Sequence, residues 1–238
     1  IHLREPGEKE PKIWEIYVDV GASSDKEVAE LGLRVGHVGV YCDGPMLMNE
    51  SKLVCRALDN RLSGFVLSEI ARKLCKLKKP LAWNVMLVNA VQEEVGCIGA
   101  GMITHRLRPD AAICIDVTHA TDSPGLDKGK FGDIKLGGGP AVIHGTANHP
   151  NLVARLEIVA DKNKIPLQHE AAGRRTGTDT DSIYVSRNGV ASALVSLPLR
   201  YMHSPVETAA LTDVENTIKL LLELIKSLKP EDTFGHKL

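Results

Sequence analysis

No stretch of this 238-residue sequence is apolar for the ~20 residues a helix needs to cross a bilayer. The longest apolar runs, such as residues 111–115, have only the length of a strand, so a soluble chain is expected. The sequence also lacks an excess of charge: 29 Lys and Arg stand against 30 Asp and Glu, a formal net charge of −1. Without a basic surplus there is no electrostatic footprint for nucleic acid or an anionic membrane, and neither is expected as a partner. A cysteine framework is missing as well. Cys42, Cys55, Cys75, Cys97 and Cys114 form an odd, scattered set with no CxxC pair, unlike a disulfide scaffold or a thiolate zinc site. They read as reduced thiols of a cytoplasmic protein. Finally, the chain opens Ile1-His2-Leu3-Arg4, with neither an initiator Met nor the charged and apolar segments of a secretion signal, so a fragment is expected.

What is present is globular in composition, with 43% hydrophobic and 25% charged residues, and the length suits one large domain or one domain with a small partner. The first fifty residues are organised differently from the rest. Partial alternation over residues 14–20 and the Val/Gly-rich residues 33–41 predict two short strands. Between them, Ser24 with Glu27 forms a capping-box pattern and Gly32 a stop, which predicts a short helix. From Leu53 onward helices alternate with apolar runs. Leu62, Phe65, Val66, Ile70, Leu74 and Leu77 keep helical spacing; residues 84–91, 111–115 and 191–197 are strand-length runs. Residues 152–162 and 214–228 read as helices, the second opened by a Thr212 to Glu215 capping box. Strands apolar throughout, alternating with helices, imply an α/β fold with a largely parallel sheet covered on both faces.

In such sheets ligands bind beyond the carboxyl ends of the strands, and acidic or imidazole side chains recur there. Asp59 precedes the Leu62 helix, Glu93 and Glu94 follow the 84–91 run, Asp116 ends the 111–115 run, and His203 ends residues 199–203, just past the 191–197 run. Taken singly, Asp59 could be an N-cap, the Glu pair first-turn acids on a helix dipole, Asp116 a turn former, and His203 a packed or surface residue. Taken together, converging carboxylates would raise one another's pKa unless a cation sat between them. Carboxylate and imidazole ligands without thiolate suit a catalytic zinc or a similar divalent ion. Adjacent side chains on an extended segment diverge, so Glu94 can bind metal while Glu93 faces the water as a base.

Four segments, ALDNRLSG, VQEEVGCIGA, ICIDVTHATDSPG, and RRTGTDTD followed by LPLRYMHSPVE, resemble in order and spacing the cytosolic co-catalytic metal aminopeptidases, which include glutamyl and tetrahedral aminopeptidases and some cellulase-named proteins. The resemblance runs over essentially the whole chain. It implies that Asp59 bridges two metal ions, zinc or possible cobalt, that Glu94 and His203 complete one site, that Asp116 serves the other, and that Glu93 is the general base. It implies removal of N-terminal residues from short peptides, an α/β catalytic domain interrupted by a small β-barrel insert, and a large homo-oligomer. Residues 1–52 would be the later part of that insert, and 53–238 the catalytic domain. The family's pattern starts with a His-x-Asp ahead of the insert; His2 lacks that continuation and is not assigned, so an N-terminally incomplete member is expected.

The Gly177-Thr178-Asp179 turn matches a family loop near the substrate, which makes Asp179 a substrate contact. His119, three residues past Asp116, is another candidate, with a loop or packing role as the alternative. Arg174 and Arg175 would favour an acidic substrate side chain or form a solvated basic loop. Gly137-Gly138-Gly139-Pro140 has no following Lys-Ser/Thr and reads as a turn allowing close backbone approach, not a P-loop. Two other functions stay open: a catalytically incomplete assembly or binding protein of the same fold, and a hydrolase of an N-acyl amide or a glycoside.

Overall fold

The computed structural model describes residues 11–42 and 44–235. Packing divides the chain into two units, Ile1–Cys42 and Asp43–Leu238. In the first, a 3-10 turn spans Ile13–Glu15 and helix α1 spans Asp25–Glu30. The capping signal is used: Ser24 Oγ accepts from the Glu27 N–H at 3.2 Å, and Glu27 Oε2 accepts from the Ser23 N–H at 2.7 Å. The strands expected over residues 14–20 and 33–41 are not formed. A strand exists by exchanging backbone hydrogen bonds with a neighbour. Among the described residues neither segment has a ladder partner, and Tyr17, Val18, Val35 and Val38 are exposed. The opening ten residues of the expected insert lie outside the described residues.

The second unit is built on seven strands: β1 (Met46–Met48), β2 (Lys52–Val54), β3 (Ala111–His119), β4 (Ala141–Gly145), β5 (Gln168–Ala172), β6 (Ala191–Arg200) and β7 (Thr208–Ala210). Their order is β1-β2-β7-β6-β4-β5, with β3 paired to β6. The sheet is mixed. The two longest ladders, β3 with β6 and β4 with β5, are parallel, and the other junctions are antiparallel.

The helices of this unit are α2 (Leu58–Leu74), α3 (Ile98–Leu107), α4 (Lys128–Phe131), α5 (Pro150–Asn163), α6 (Thr180–Ile183) and α7 (Leu211–Ser227). β6 explains why an apolar run without alternation is a strand here. Its Ala193, Val195, Leu197 and Leu199 point into one core with Leu62, Val66 and Ile70 of α2, Leu152 and Leu156 of α5, and Leu220 and Leu224 of α7. Leu194, on the other face, joins Ala100 of α3 and Ile183 of α6. With both faces covered, both sets of side chains must be apolar.

Two expectations fail locally for non-local reasons. Residues 84–91 have no ladder partner among the described residues, and Met86, Leu87 and Val88 are exposed. The segment is instead pinned at its ends. Trp83 Nε1 donates to the Lys229 carbonyl at 2.9 Å, and Val91 O accepts from the Gly99 N–H at 3.1 Å. Gly99 is required there, since a Cβ would lie 2.4 Å from Val91 O. The Thr212 to Glu215 capping box is also not used. β7 runs directly into α7, so Ala210 is the N-cap and has no side-chain cap. The buried Asp213 of the first turn accepts from the N–H groups of Gly137 and Gly139 at 2.7 and 2.8 Å. The glycine turn is the close approach expected of it, because a Cβ on Gly139 would meet Pro166 O at 2.2 Å.

Leu156 is fully buried on α5, whereas Ile158, two residues on, is 61% exposed. Leu156→Ala is expected to cost about 2–5 kcal/mol in urea unfolding and Ile158→Ala less than about 0.5. Equal losses would contradict the placement of α5.

Candidate metal centre at the strand ends

Because β3 and β6 run parallel, their carboxyl ends lie on the same edge of the sheet. β3 carries the buried Asp116 and ends at the half-buried His119. β6 leads through Tyr201 to His203, both at positive φ (58° and 63°), so the chain reverses and presents the imidazole. Four residues later Glu207, only 2% exposed, accepts from the His203 N–H with Oε1 at 2.7 Å and from the Asp59 N–H with Oε2 at 3.0 Å. A single carboxylate thereby ties two distant segments together.

Asp59 sits where the backbone leaves helical geometry at the start of α2 (φ −79°, ψ 107°). The N-cap of that helix is Ala57, without a side-chain cap, so the Asp59 carboxylate is not spent on capping. It faces His203 instead, with Oδ2 3.0 Å from Nε2, and Glu94 Oε2 lies 3.4 Å from the same nitrogen. One ligand atom from each of Asp59, Glu94 and His203 fits within a 4.8 Å cluster. Glu93 diverges from Glu94 and takes a weak hydrogen bond from the Cys97 thiol at 3.7 Å. Asp116 stands beside the cluster, with Oδ1 accepting from Asn60 Nδ2 at 2.7 Å and from the Val117 N–H at 2.8 Å. Asp179, at the start of α6, has a buried Oδ1 without a hydrogen-bond partner. His119 is not one of the clustered ligands. Arg174 and Arg175 are exposed.

The electrostatics are uniform in direction. Burial raises the Asp59 carboxyl to about 6, with the Glu94 charge adding to the rise and His203 opposing it. Burial raises Asp116 to about 8; the Val117 N–H opposes this, and the charges of Asp59, Glu93 and Asp179 reinforce it. Glu93 is raised by burial and by Glu94 and Asp179, and Asp179 by burial alone. Carboxyls gathered out of water without enough positive charge are costly to ionise, and a divalent cation relieves that cost. The donor set, carboxylate with imidazole, suits such an ion.

Glu207 and Asn60 escaped the sequence reading, although both lie inside its motifs. A Glu four residues past a candidate ligand reads as surface charge until its burial is known.

The fold and site together define an α/β protein with a candidate carboxylate–imidazole metal centre at the ends of parallel strands. The chain belongs to the M42 glutamyl aminopeptidase family, whose sequence profile matches residues 1–220. It is 40% identical over 234 residues to the lysyl aminopeptidase of Pyrococcus furiosus, covering 97% of this chain and 66% of that protein. The chain thus spans about two thirds of that curated relative's length. Among solved structures it resembles the aminopeptidase APDkam598 of the archaeon Desulfurococcus kamchatkensis (TM-score 0.86, 34% identity, 94% of this chain and 63% of that one). It also resembles the Pyrococcus horikoshii TET1 peptidase, described as assembling into a tetrahedron or a large octahedral shell (TM-score 0.71, 28% identity, 88% and 60%).

Two outcomes are expected. Glu207→Gln sets an amide NH2 against one of two buried backbone N–H groups, costing about 1–3 kcal/mol in urea unfolding. The same change should weaken divalent-metal binding about 10–100-fold in a competition titration. Unchanged stability and affinity would remove the bridging role. In chelator, Asp59 and Asp116 bind more protons in the folded than in the unfolded chain between an ordinary value of 3.8 and about 6 or about 8 respectively. Their contribution to stability therefore falls as pH rises through those ranges. Asp116→Asn keeps an oxygen that accepts from Asn60 and Val117 but cannot ionise. Its thermal midpoint relative to the parent should climb between about pH 4 and about pH 8, and parallel curves would contradict the shift.

Proposed function

We propose that this chain is an aminopeptidase that hydrolyses the N-terminal peptide bond of short peptides, with two divalent metal ions per subunit, zinc or cobalt, as cofactors. The reading rests on the convergence of Asp59, Glu94 and His203 beside a further carboxylate, Glu93, that is not one of the clustered ligands. In this reading Asp59 is shared between the ions, Glu94 and His203 hold one, and Asp116 holds the other. When bound, the ions supply Lewis-acid polarisation of the scissile carbonyl and acidify water. Glu93, its proton affinity raised by burial and neighbouring charge, suits a group that takes a proton from water and passes it to the leaving amine.

The unpartnered buried oxygen of Asp179 is a ready acceptor for the ammonium of a peptide N-terminus. His119, at the end of β3, is the other substrate-side residue. In this reading residues 53–238 are the catalytic domain, whose sheet β1 extends, and the residues ahead of β1 belong to an inserted assembly domain. The protein assembles as a large homo-oligomer in the cytoplasm, a setting that agrees with five free cysteines among the described residues.

Aminoacyl-anilide hydrolysis with metal analysis tests this directly. Two equivalents of zinc or cobalt per chain that remain after dialysis against metal-free buffer, and turnover abolished by chelator, are expected. Glu93→Gln should lower kcat/KM by about 10²–10⁴-fold with the metal retained. Turnover within a few-fold of the parent would remove Glu93 as the base. One equivalent or none, with no turnover, would favour a catalytically incomplete relative that binds or assembles. Activity surviving chelation would favour a glycosidase, which needs only a carboxylate pair.

A further inference from the structure

A second group of metal-compatible side chains lies on the opposite side of β6 from β3, and it shares no residue with the centre described above. β4, α5 and β5 form one β–α–β unit with parallel strands. Val142 is in register with His169, so His144, two residues along β4, faces the same side of the sheet as His169. Val142 is packed with Val153 and Leu156 of α5, which makes this the face that α5 covers. Glu157 reaches the two imidazoles from that helix.

His144 Nε2 lies 3.0 Å from His169 Nδ1, and Glu157 Oε1 lies 3.7 Å from the first nitrogen and 3.6 Å from the second. The point equidistant from these three atoms is about 2.0 Å from each, the length of zinc–imidazole and zinc–carboxylate bonds. The neighbouring backbone is tightly set, because Gly145, at φ 149°, would place a Cβ 1.7 Å from Ala172 O, so only glycine lets β4 approach β5 at that point. Thr146 Oγ1 adds a bond to the Gly173 carbonyl at 2.7 Å. The side chains of His144 and His169 are about half exposed, and His144 and Glu157 line a cleft with Asn148, Pro150 and Val153, which leaves room for water as a further ligand.

We propose that His144, His169 and Glu157 form an additional divalent-metal site, separate from the centre at the ends of β3 and β6, that clips the edge strand β5 to β4 and α5. Two imidazoles and one carboxylate select zinc, nickel or copper over magnesium or calcium. The ligands are exposed, so the ion is exchangeable, and the site adds to the metal count of the chain without serving the first centre.

The probe is Zn²⁺ alone, titrated into the full chain against a chromophoric chelator. His144→Gln and His169→Gln should each remove one equivalent of zinc per chain and leave the thermal midpoint in chelator unchanged. Zinc should raise the midpoint of the parent more than that of either variant. In the parent, the imidazole resonances of His144 and His169 should move together, saturating at one equivalent. The same zinc stoichiometry in both variants would overturn the proposal. So would imidazole resonances of His144 and His169 that stay in place at saturating zinc, a measurement that needs no variant to fold.

Discussion

Glu207 ties its own segment, with His203, to Asp59, which lies 148 residues before it in the chain. Its two oxygens accept the backbone N–H groups of Asp59 and His203, so one buried charge sets the spacing of two metal-compatible side chains before any ion arrives. A buried carboxylate is tolerated only when its oxygens are used. That condition makes the geometry of the site part of the stability of the fold. The positive φ values at Ala57, Tyr201 and His203 are local backbone costs carried by this tie.

The same economy appears around Asp116. Asn60 donates to its carboxylate from the residue next to Asp59, and β3 donates through Val117. The acids of the site are thus oriented by neighbours of other ligands, and displacing one segment disturbs several. Such coupling keeps several carboxylates close enough to raise one another's pKa, a burden that a bound cation turns into affinity.

Much of this was legible in the sequence. β3, β6, α2, α5 and α7 announce themselves through periodicity and apolar runs, and the four motifs mark the neighbourhood of every clustered ligand at the strand ends. What escaped depends on partners far along the chain. Residues 14–20, 33–41 and 84–91 have the composition of strands, but pairing is not a local property. Thr212 and Glu215 match a capping box, but β7 runs straight into the helix and leaves Ala210 at the cap. Nothing local in the sequence marks Glu207 as buried. His144 and His169, 25 residues apart, belong to no spacing motif, and only the parallel register of β4 and β5 brings their rings together.

The central claim is that Asp59, Glu94 and His203 converge because they hold a metal ion. Anomalous scattering at the zinc absorption edge, from crystals of the chain grown with zinc, tests this most directly. The account predicts a strong peak bounded by Asp59 Oδ2, Glu94 Oε2 and His203 Nε2. Zinc-saturated crystals with no anomalous density at that position would contradict it.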